Sequence, residues 1–315
     1  IEPNRGEAIR QAVLGCREPS VLLITGKGAE TRQKRGTEYI DTPSDVDYVQ
    51  SFLQEYDVRH GLDGMEKVRS LLSILPILKR DEGRTVVVKY GGSALGAEAA
   101  TDTTLQDVAA LRMVGVRVVL VHGGGKHITA LLDKLQVPTR FENGYRYTDQ
   151  AVLETAEMAL SAQVNKAIVS RLSQLEVSAV GLSGKDGGLL TAVEKDPALG
   201  RVGSITRVEP RILQTLLDGD FLPVVSPIAA GEDGGGFNCN ADDAARAVAA
   251  ALGADKLIFL TDTAGVLIDS HNSKTAVPHM DVKRAEELID TGLIAGGMVP
   301  KVRGCIQAIR AGVGE

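Results

Sequence analysis

Two segments of the sequence place glycine clusters directly after runs of β-branched residues. Residues 85–92 read Thr-Val-Val-Val-Lys-Tyr-Gly-Gly, and residues 117–127 read Arg-Val-Val-Leu-Val-His-Gly-Gly-Gly-Lys-His. Each pattern predicts a strand, a glycine loop and a helix. Glycine lets the backbone approach an anion closely, and the following helix offers free N–H groups and the positive end of its dipole. The two segments indicate a phosphate site, with Lys89 as a fixed cation at its mouth.

Both signals also have readings that need no ligand. A short Val-Lys-x-Gly-Gly motif is weak, and Lys89 alone fits an ordinary lysine that closes a strand. Three successive glycines cost chain entropy, so residues 123–125 indicate a close approach of the backbone more strongly. We predict that His122 is a packed, hydrogen-bonded residue rather than a general base.

Four further segments carry polar groups that suit an anionic ligand. Asn143-Gly-Tyr-Arg146 presents an arginine, whose planar fork fits a carboxylate, although a surface ion pair is the alternative. Asn238-Cys-Asn-Ala-Asp242 sets two amides beside an aspartate, which otherwise fits an ordinary acid at a helix start. Leu260-Thr-Asp-Thr-Ala-Gly265 ends a predicted strand with turn residues, and Gly296-Gly-Met-Val-Pro-Lys301 places a second lysine near a helix start.

Composition limits the classes of protein to which the chain can belong. Of its 315 residues 43% are hydrophobic but only 3% aromatic, which suits parallel strands of Val, Ile and Leu buried between helices. A net charge of −6 argues against non-specific binding to nucleic acid. Cys16, Cys239 and Cys305 lack metal-ligand spacing, as is typical of a reducing compartment. Without a membrane-length apolar run or a secretory signal, we expect a cytoplasmic protein that binds no membrane.

Strands and helices alternate from Met65 onward, which indicates a mainly parallel sheet with helices on both faces. The expected fold is α/β: a three-layer αβα sandwich preceded by a small α/β unit. The carboxyl ends of its strands then form the edge where ligands bind. The predicted strands are 85–89, 117–121, 177–182, 221–226 and 256–261. The predicted helices are 65–79, 100–114, 126–135, 149–175, 209–218, 241–252 and 281–291, and 231–236 is expected to be a loop.

Residues 1–57 have a pattern of their own. They predict a helix from Arg5, a strand over 20–25, and a helix over 42–56 for which Ser44 is the N-cap. The polar stretch 58–64 is predicted to be a linker, and 65–315 a second domain.

The order of the motifs along the second domain closely resembles that of the acetylglutamate kinases of the amino acid kinase family. Lysine follows the first strand and three glycines follow the second; then come the arginine, Asn-x-Asn-Ala-Asp, Thr-Asp-x-x-Gly and Gly-Gly-Met-x-x-Lys. Further matches are Gly181-Leu-Ser-Gly-Lys-Asp-Gly187, Leu222-Pro-Val-Val-Ser-Pro227 and Lys256-Leu-Ile-Phe-Leu-Thr-Asp262. The resemblance covers about residues 65–315.

This resemblance implies transfer of the γ-phosphoryl group of ATP to the side-chain carboxylate of N-acetyl-L-glutamate, a step of arginine biosynthesis. It implies that Lys89 and Lys301 hold the transferring group and that Asp242 holds the lysines. Mg²⁺ is expected to arrive with ATP. The implied acetylglutamate-binding residues are Gly124, Gly125, Arg146 and Asn238. The implied nucleotide-binding residues are Gly91, Gly92, Asp262, Gly265, Leu267, Ile294 and Gly297.

The resemblance also bears on assembly and on the chain ends. The predicted helix 65–79 is similar to the N-terminal helix of arginine-inhibited, hexameric members, which implies a homo-oligomer (dimer or hexamer) with arginine as a feedback inhibitor. The family continues past Gly312-Val-Gly with further strands, so the domain is expected to lack its last strands. The alternatives are another activity of the family, or a non-catalytic ligand-binding or regulatory protein.

Residues 1–57 resemble the C-terminal tail of a muramyl-peptide ligase. The matching residues are Arg5-Gly-Glu-Ala-Ile-Arg10, Val21-Leu-Leu-Ile-Thr-Gly-Lys-Gly28 and Glu30-Thr. In such a ligase Gly26 and Glu30 would lie near the incoming amino acid, whereas Ala29 stands where histidine is usual. We expect a remnant or a docking module, since the ligase's ATP-binding and central domains are missing.

Overall fold

The chain forms two compact units, Ile1–Arg80 and Asp81–Glu315. The computed structural model describes residues 4–16, 31–35, 38–59, 79–91, 103–260, 265–267, 275–277 and 279–315. Several predictions fall outside these residues: the strand 20–25 with Gly26 and Glu30, most of the linker and of the helix 65–79, and Gly92 and Asp262. Within the described ranges, no helix is both long and apolar enough to cross a membrane.

The first unit contains two helices and a hairpin in its described part. They are α1 (Arg5–Leu14), β1 (Arg32–Arg35), β2 (Glu38–Asp41) and α2 (Asp45–Arg59), with β1 and β2 antiparallel. Ser44 caps α2 as predicted: its Oγ accepts a hydrogen bond from the Asp47 N–H at 3.2 Å, and the Asp47 carboxylate accepts one from the Ser44 N–H at 3.0 Å. The two helices pack together, and the Arg5–Asp45 ion pair joins them at 2.6 Å.

The second unit alternates strands and helices. Its strands are β3 (Thr85–Tyr90), β4 (Arg117–His122), β5 (Phe141–Glu142), β6 (Tyr145–Arg146), β7 (Ala179–Ser183), β8 (Leu190–Glu194), β9 (Val202–Val208), β10 (Leu222–Ser226), β11 (Ile228–Gly231), β12 (Gly236–Cys239) and β13 (Lys256–Phe259). Its helices are α3 (Thr103–Met113), α4 (Gly125–Leu135), α5 (Gln150–Glu157), α6 (Asn165–Gln174), α7 (Arg211–Asp218), α8 (Ala241–Leu252), α9 (Val282–Asp290) and α10 (Met298–Arg310).

The predicted three-layer fold is confirmed. A parallel sheet of order β13-β3-β4-β10-β7 lies at the centre, and its strands match the five predicted ones to within two residues at each end. Successive side chains of a strand point to opposite faces. Val87 and Val119 accordingly pack in one cluster with α7 and α8, whereas Val88 and Leu120 pack in another with α3 and α6. Burial on both faces explains why these strands are continuously apolar.

The sequence did not predict the second sheet of this unit. Strands β8, β9, β11 and β12 close on one another in the order β11-β12-β9-β8. These strands are short, and long-range pairing decides their conformation more than their own residues do. The predicted loop 231–236 is the turn between β11 and β12, where the Gly231 N–H donates to the Gly235 carbonyl at 2.9 Å.

The helix predicted over 149–175 is helical, but not uniformly α. Between α5 and α6, residues Met158–Val164 form a π-helical segment. Such segments are rare and often lie at functional sites. This one packs against α4.

Candidate active site

The two glycine loops lie side by side because their strands are neighbours. Strands β3 and β4 pair in parallel, with Lys89 opposite Val121 and Tyr90 opposite His122. The Gly123 N–H donates to the Tyr90 carbonyl at 2.8 Å, which joins the start of one loop to the end of the other strand. The carboxyl ends of β3 and β4 therefore form one mouth, as the sequence predicted.

Lys89 forms an ion pair at this mouth with Asp242. Its Nζ lies 3.0 Å from Asp242 Oδ1, and the two side chains are 15% and 32% exposed. Asp242 is in the first turn of α8, where the Asn240 side chain accepts from the N–H groups of Asp242 and Asp243 at 2.8 and 3.1 Å. The structure thus brings together two of the three predicted catalytic residues, and a helix cap fixes the turn that carries the acid.

Lys301, the third, is exposed in the first turn of α10. Helix α10 packs beside α8 and runs in the same direction: a side chain at Gly304 would overlap the Arg246 guanidinium, and farther along the Gly314 N–H donates to the Ala254 carbonyl at 3.1 Å. Lys301 precedes Gly304 by about one turn. It therefore lies toward the N-terminal end of α8, the end that carries Asp242.

A cavity of about 410 Å³ opens between the glycine loop and the second sheet. All four predicted acetylglutamate-binding residues line it: Gly124, Gly125, Arg146 and Asn238. Asn240 and Ala241 line it too, so the cavity reaches the start of α8. Asn238 projects from β12, and its side-chain amide donates to Thr148 Oγ1 at 3.3 Å.

Two cationic residues line this cavity, Lys126 and Arg146, and Arg146 is only 7% exposed. Its guanidinium donates to Thr139 Oγ1 at 2.9 Å, to Thr129 Oγ1 at 2.8 Å and to the Gly125 carbonyl at 3.0 Å, and it lies 4.7 Å from the centre of the Phe141 ring. Burial lowers the pKa of Arg146 from its usual value. No carboxylate forms a salt bridge with it among the residues that the structure describes.

The sequence did not single out Asn165, which lies beneath the glycine loop. Its side chain is fully buried, and its Nδ2 lies 3.2 Å from His122 Nε2. His122 is fully buried too, as the packed-histidine prediction expected, and burial lowers its pKa to about 4. The available signal was an asparagine inside a predicted helix, because asparagine is a poor helix former.

The remaining predicted nucleotide-binding residues lie in two segments near each other. Gly265 has a φ of 126°, and Leu267 forms an antiparallel bridge with Ala276. Ile294 is buried in a cluster that also contains Val266, and Gly297 precedes α10. The shared cluster brings the 265–267 segment beside the start of α10. Gly91 lies in the other glycine loop, directly after β3, and is close to the side chain of Lys89.

Comparison with known proteins identifies the family. The model of the amino acid kinase family matches residues 84–315, which is most of the chain. The chain belongs to the amino acid kinase family. Acetylglutamate kinases of Nostoc punctiforme and Thermosynechococcus vestitus are 46% and 44% identical to it over 248 and 253 residues. These matches cover 78% and 80% of this chain, and 83% and 86% of those kinases.

Solved structures agree with the fold. The crystal structure of smu.665 from Streptococcus mutans is 32% identical, with a TM-score of 0.63, over 73% of this chain and 91% of that one. The N-acetylglutamate synthase of Neisseria gonorrhoeae, in a complex with coenzyme A and L-arginine, has a TM-score of 0.62 at 22% identity. That match covers 78% of this chain and 58% of the synthase, and it supports the fold alone.

Proposed function

We propose that this chain transfers the γ-phosphoryl group of ATP to the side-chain carboxylate of N-acetyl-L-glutamate. The product is an acyl phosphate, and the step belongs to arginine biosynthesis. The support is twofold: relatives that are 42–46% identical carry the name acetylglutamate kinase, and the cavity suits a dicarboxylate. Neither another activity of the family nor a purely regulatory role has a comparable observation in its favour.

One observation carries the proposal: a buried arginine lines a cavity, and no carboxylate among the described residues forms a salt bridge with it, the charge of Asp133 acting on it only from a greater distance. A buried charge is costly unless it is paired, and the three groups that contact Arg146 are neutral oxygens. The α-carboxylate of acetylglutamate would supply a directly paired negative charge and matches the planar fork of the guanidinium. The adjacent Asn238 amide suits a polar group of the same ligand.

The chemistry needs positioning more than proton transfer. The carboxylate of the substrate is already a nucleophile; its oxygen forms a bond to the γ-phosphorus while the bond from that phosphorus to the β,γ-bridging oxygen breaks and ADP leaves. No general base is required, so the protein must align two anions and neutralise the charge that develops between them. Lys89 and Lys301 are proposed to do this, with the N–H groups of Gly91 and Gly124.

The proposed role of Asp242 is to hold Lys89. Two lysines at one phosphoryl group repel each other, and the 3.0 Å ion pair anchors one of them at the mouth. Asp243, its neighbour in the same turn, is also engaged, with Lys195 at 3.6 Å and with Arg246. Carboxylates that are already paired with cations are poor ligands for a further cation. We therefore propose that Mg²⁺ comes with ATP, held by the phosphates.

We propose that the adenine nucleotide occupies the side of the mouth formed by the residues around Gly265, Leu267, Ile294 and Gly297. Gly92 and Asp262 are also proposed to bind the nucleotide. A cytoplasmic homo-oligomer, dimer or hexamer, that responds to arginine is proposed from the family resemblance. Light scattering with and without arginine tests this assembly.

The direct test measures ADP release in a coupled assay with ATP, Mg²⁺ and N-acetyl-L-glutamate. We expect turnover that requires the acetyl group, with plain glutamate as the substrate control, and that collapses in Lys301→Ala. Lys283→Ala removes an exposed lysine of α9 and is the matched control. Folded protein that binds ATP but releases no ADP would overturn the proposal in favour of a binding or regulatory role. Turnover with another carboxylate or with carbamate instead would assign a different activity of the family.

A further inference from the structure

We infer that Asn165 is a positioning residue for phosphoryl transfer: it sets the glycine loop 123–125 through the ring of His122. The inference deepens the proposed function and rests on it. Three observations carry it, namely the hydrogen bonds of the histidine, those of the asparagine, and the absence of room around both.

The hydrogen bonds of His122 define a single tautomer. Its Nδ1 lies 2.8 Å from the Gly123 carbonyl oxygen, which can only accept, so Nδ1 carries the proton. In a neutral ring Nε2 then accepts, and Asn165 Nδ2 is there to donate at 3.2 Å. The ring thus joins the helix side of the fold to the first glycine of the loop. Gly123 lines the acetylglutamate cavity and, through its N–H, bonds to Tyr90 beside Lys89.

The hydrogen bonds of Asn165 tie the same ring to two more strands. Besides His122 Nε2, two carbonyl oxygens lie within reach of its Nδ2: that of Val224 in β10 at 2.9 Å and that of Leu182 in β7 at 3.3 Å. The amide has two protons for these three acceptors, so one N–H is shared between two of them. Both carbonyls only accept, so they fix the orientation of the amide. One buried side chain therefore gathers the carboxyl ends of β4, β7 and β10 around the histidine that holds the loop.

The surroundings leave these groups no alternative arrangement. Any side chain at Gly181 would overlap Asn165 Oδ1, and that oxygen accepts from Lys166 Nζ at 3.3 Å. From the other side the π-helical segment presses on the loop: a Cβ at Gly124 would stand 2.6 Å from Leu160 and 3.3 Å from Val164. The π-helical segment ends immediately before Asn165, so one irregular stretch of helix supplies both contacts.

The consequence for the reaction is specific. The loop N–H groups are proposed to meet the transferring phosphoryl group, and misplacement of such a group costs up to about a hundredfold in rate. A change in the Asn165–His122 link should therefore lower kcat, on the order of 10- to 100-fold, more than it raises the KM for acetylglutamate. Arg146, which holds the far end of the substrate, does not contact this link.

Asn165→Asp is the decisive variant because it makes the link depend on a proton. An ionised carboxylate would face the two strand carbonyls and repel them. When the pair of this carboxylate and His122 Nε2 takes up one proton, the two groups share it and the hydrogen bond to the ring re-forms. Lys166, His127 and Tyr90, the register partner of His122 on β3, are the other titratable groups that face the pair. We expect the kcat of this variant, relative to the unaltered enzyme at each pH, to rise as pH falls.

Two further variants separate positioning from mere stability. Ser161→Ala removes the 2.7 Å hydrogen bond to Ser226 from the same π-helical segment but leaves His122 untouched, so it should keep kcat within about twofold and show no pH effect. His122→Asn keeps a donor for the Gly123 carbonyl but no longer reaches Asn165. We expect it to lower kcat, and the double variant with Asn165→Asp to be no worse than either single one.

A spectroscopic measurement tests the link without turnover. In protein with ¹⁵N-labelled histidine, His122 should appear as the neutral Nδ1–H tautomer, and Asn165→Asp should move its Nε2 signal toward the protonated ring. The inference would be overturned if Asn165→Asp lowered kcat no more than Ser161→Ala does, and by the same factor at every pH. It would also be overturned if Asn165→Asp left the His122 signal unchanged. The proposed function fails separately, if unaltered protein shows the expected His122 signal but releases no ADP from acetylglutamate.

Discussion

Lys89 and Lys301 carry the same charge at the same end of the fold, but the structure holds them differently. Lys89 is 15% exposed, closes a strand of the central sheet and is paired with Asp242 at 3.0 Å. Lys301 is exposed in the first turn of a helix, and no carboxylate within the described ranges forms a salt bridge with it. We call the part around Lys89, Arg146 and the 123–125 loop the acceptor region, and the part around Lys301, Ile294 and Gly265 the nucleotide region.

The acceptor region is arranged before any ligand arrives. Its polar groups are buried or partly buried, and burial without partners is costly, so Lys89, Arg146 and His122 are each tied to a neighbouring side chain or backbone group. The nucleotide region exposes its lysine, and an exposed lysine keeps its rotamer freedom until a ligand orders it. We expect the first region to act through preorganisation and the second through contacts that ATP completes.

The largest effects should come from removing either lysine. Lys89→Met and Lys301→Met should each lower kcat by about a hundred- to a thousandfold, because each removes a charge directed at the transferring group. The comparison predicts a difference in affinity: Lys301→Met should also weaken the binding of an ATP analogue, whereas Lys89→Met should leave that binding nearly unchanged. Steady-state kinetics and calorimetric titration measure the two quantities.

Lys283→Met is the matched control, since it removes an exposed lysine from a helix outside the site. Equal losses of nucleotide affinity in both active-site variants would contradict the division into two regions. The division would then have to be replaced by a single phosphate site shared by both lysines.

The next effect concerns stability, through the buried histidine of the acceptor region. His122 has a pKa of about 4 in the fold, against 6.5 when exposed, so the unfolded chain binds an extra proton between these values. The part of the free energy of unfolding that depends on a neutral His122 is fully present above about pH 6.5 and is lost as pH falls toward 4. The loss is about 3 kcal/mol at 1.36 kcal/mol per pKa unit.

Chemical denaturation between pH 4 and 7 measures this loss. Other groups titrate in the same range, so the informative quantity is the difference between the unaltered protein and His122→Asn, whose free energy of unfolding should fall less steeply with acid. Parallel curves for the two proteins would show that His122 becomes protonated inside the fold. The tautomer argued for it would then be wrong at low pH.

Sequence reasoning was most successful where chemistry is local. The continuous apolar strands that end in glycine predicted the central sheet and the mouth, and the order of the motifs pointed to Arg146 and Asn238, which line one cavity. It missed what depends on distant partners. Strands β8, β9, β11 and β12 are defined by pairing with one another, and Asn165 acquires its role only because β4, β7 and β10 end around it.

A smaller effect is expected from Arg146→Lys, which keeps the charge but loses the fork. Lysine cannot reproduce the contacts to Thr129, Thr139 and the Gly125 carbonyl while facing a carboxylate. The KM for acetylglutamate should rise about 10- to 100-fold, with a smaller change in kcat, as expected when a charged hydrogen bond of about 1.5–3 kcal/mol is lost. Arg140→Lys, at an exposed arginine just before the β5–β6 hairpin, is the control and should change KM little. A fall in kcat at constant KM would instead assign Arg146 to the transition state.

The smallest change tests whether the position of Lys89 is fixed in advance. A Cβ at Gly91 would stand 2.9 Å from Lys89 Nζ and 3.1 Å from its Cε, so Gly91→Ala must displace the end of that side chain. The end of a lysine moves easily, and the fold should tolerate the change with an unfolding temperature close to that of the unaltered protein. If the ion pair with Asp242 sets the lysine before ATP binds, kcat should fall about tenfold, or about 1.4 kcal/mol. In the Lys89→Met background the same substitution should then cost nothing more, because the group that it displaces is gone. A Gly91→Ala enzyme with full kcat would mean that ATP draws Lys89 into place as it does Lys301, and the two regions would differ in burial but not in how they are organised for the reaction.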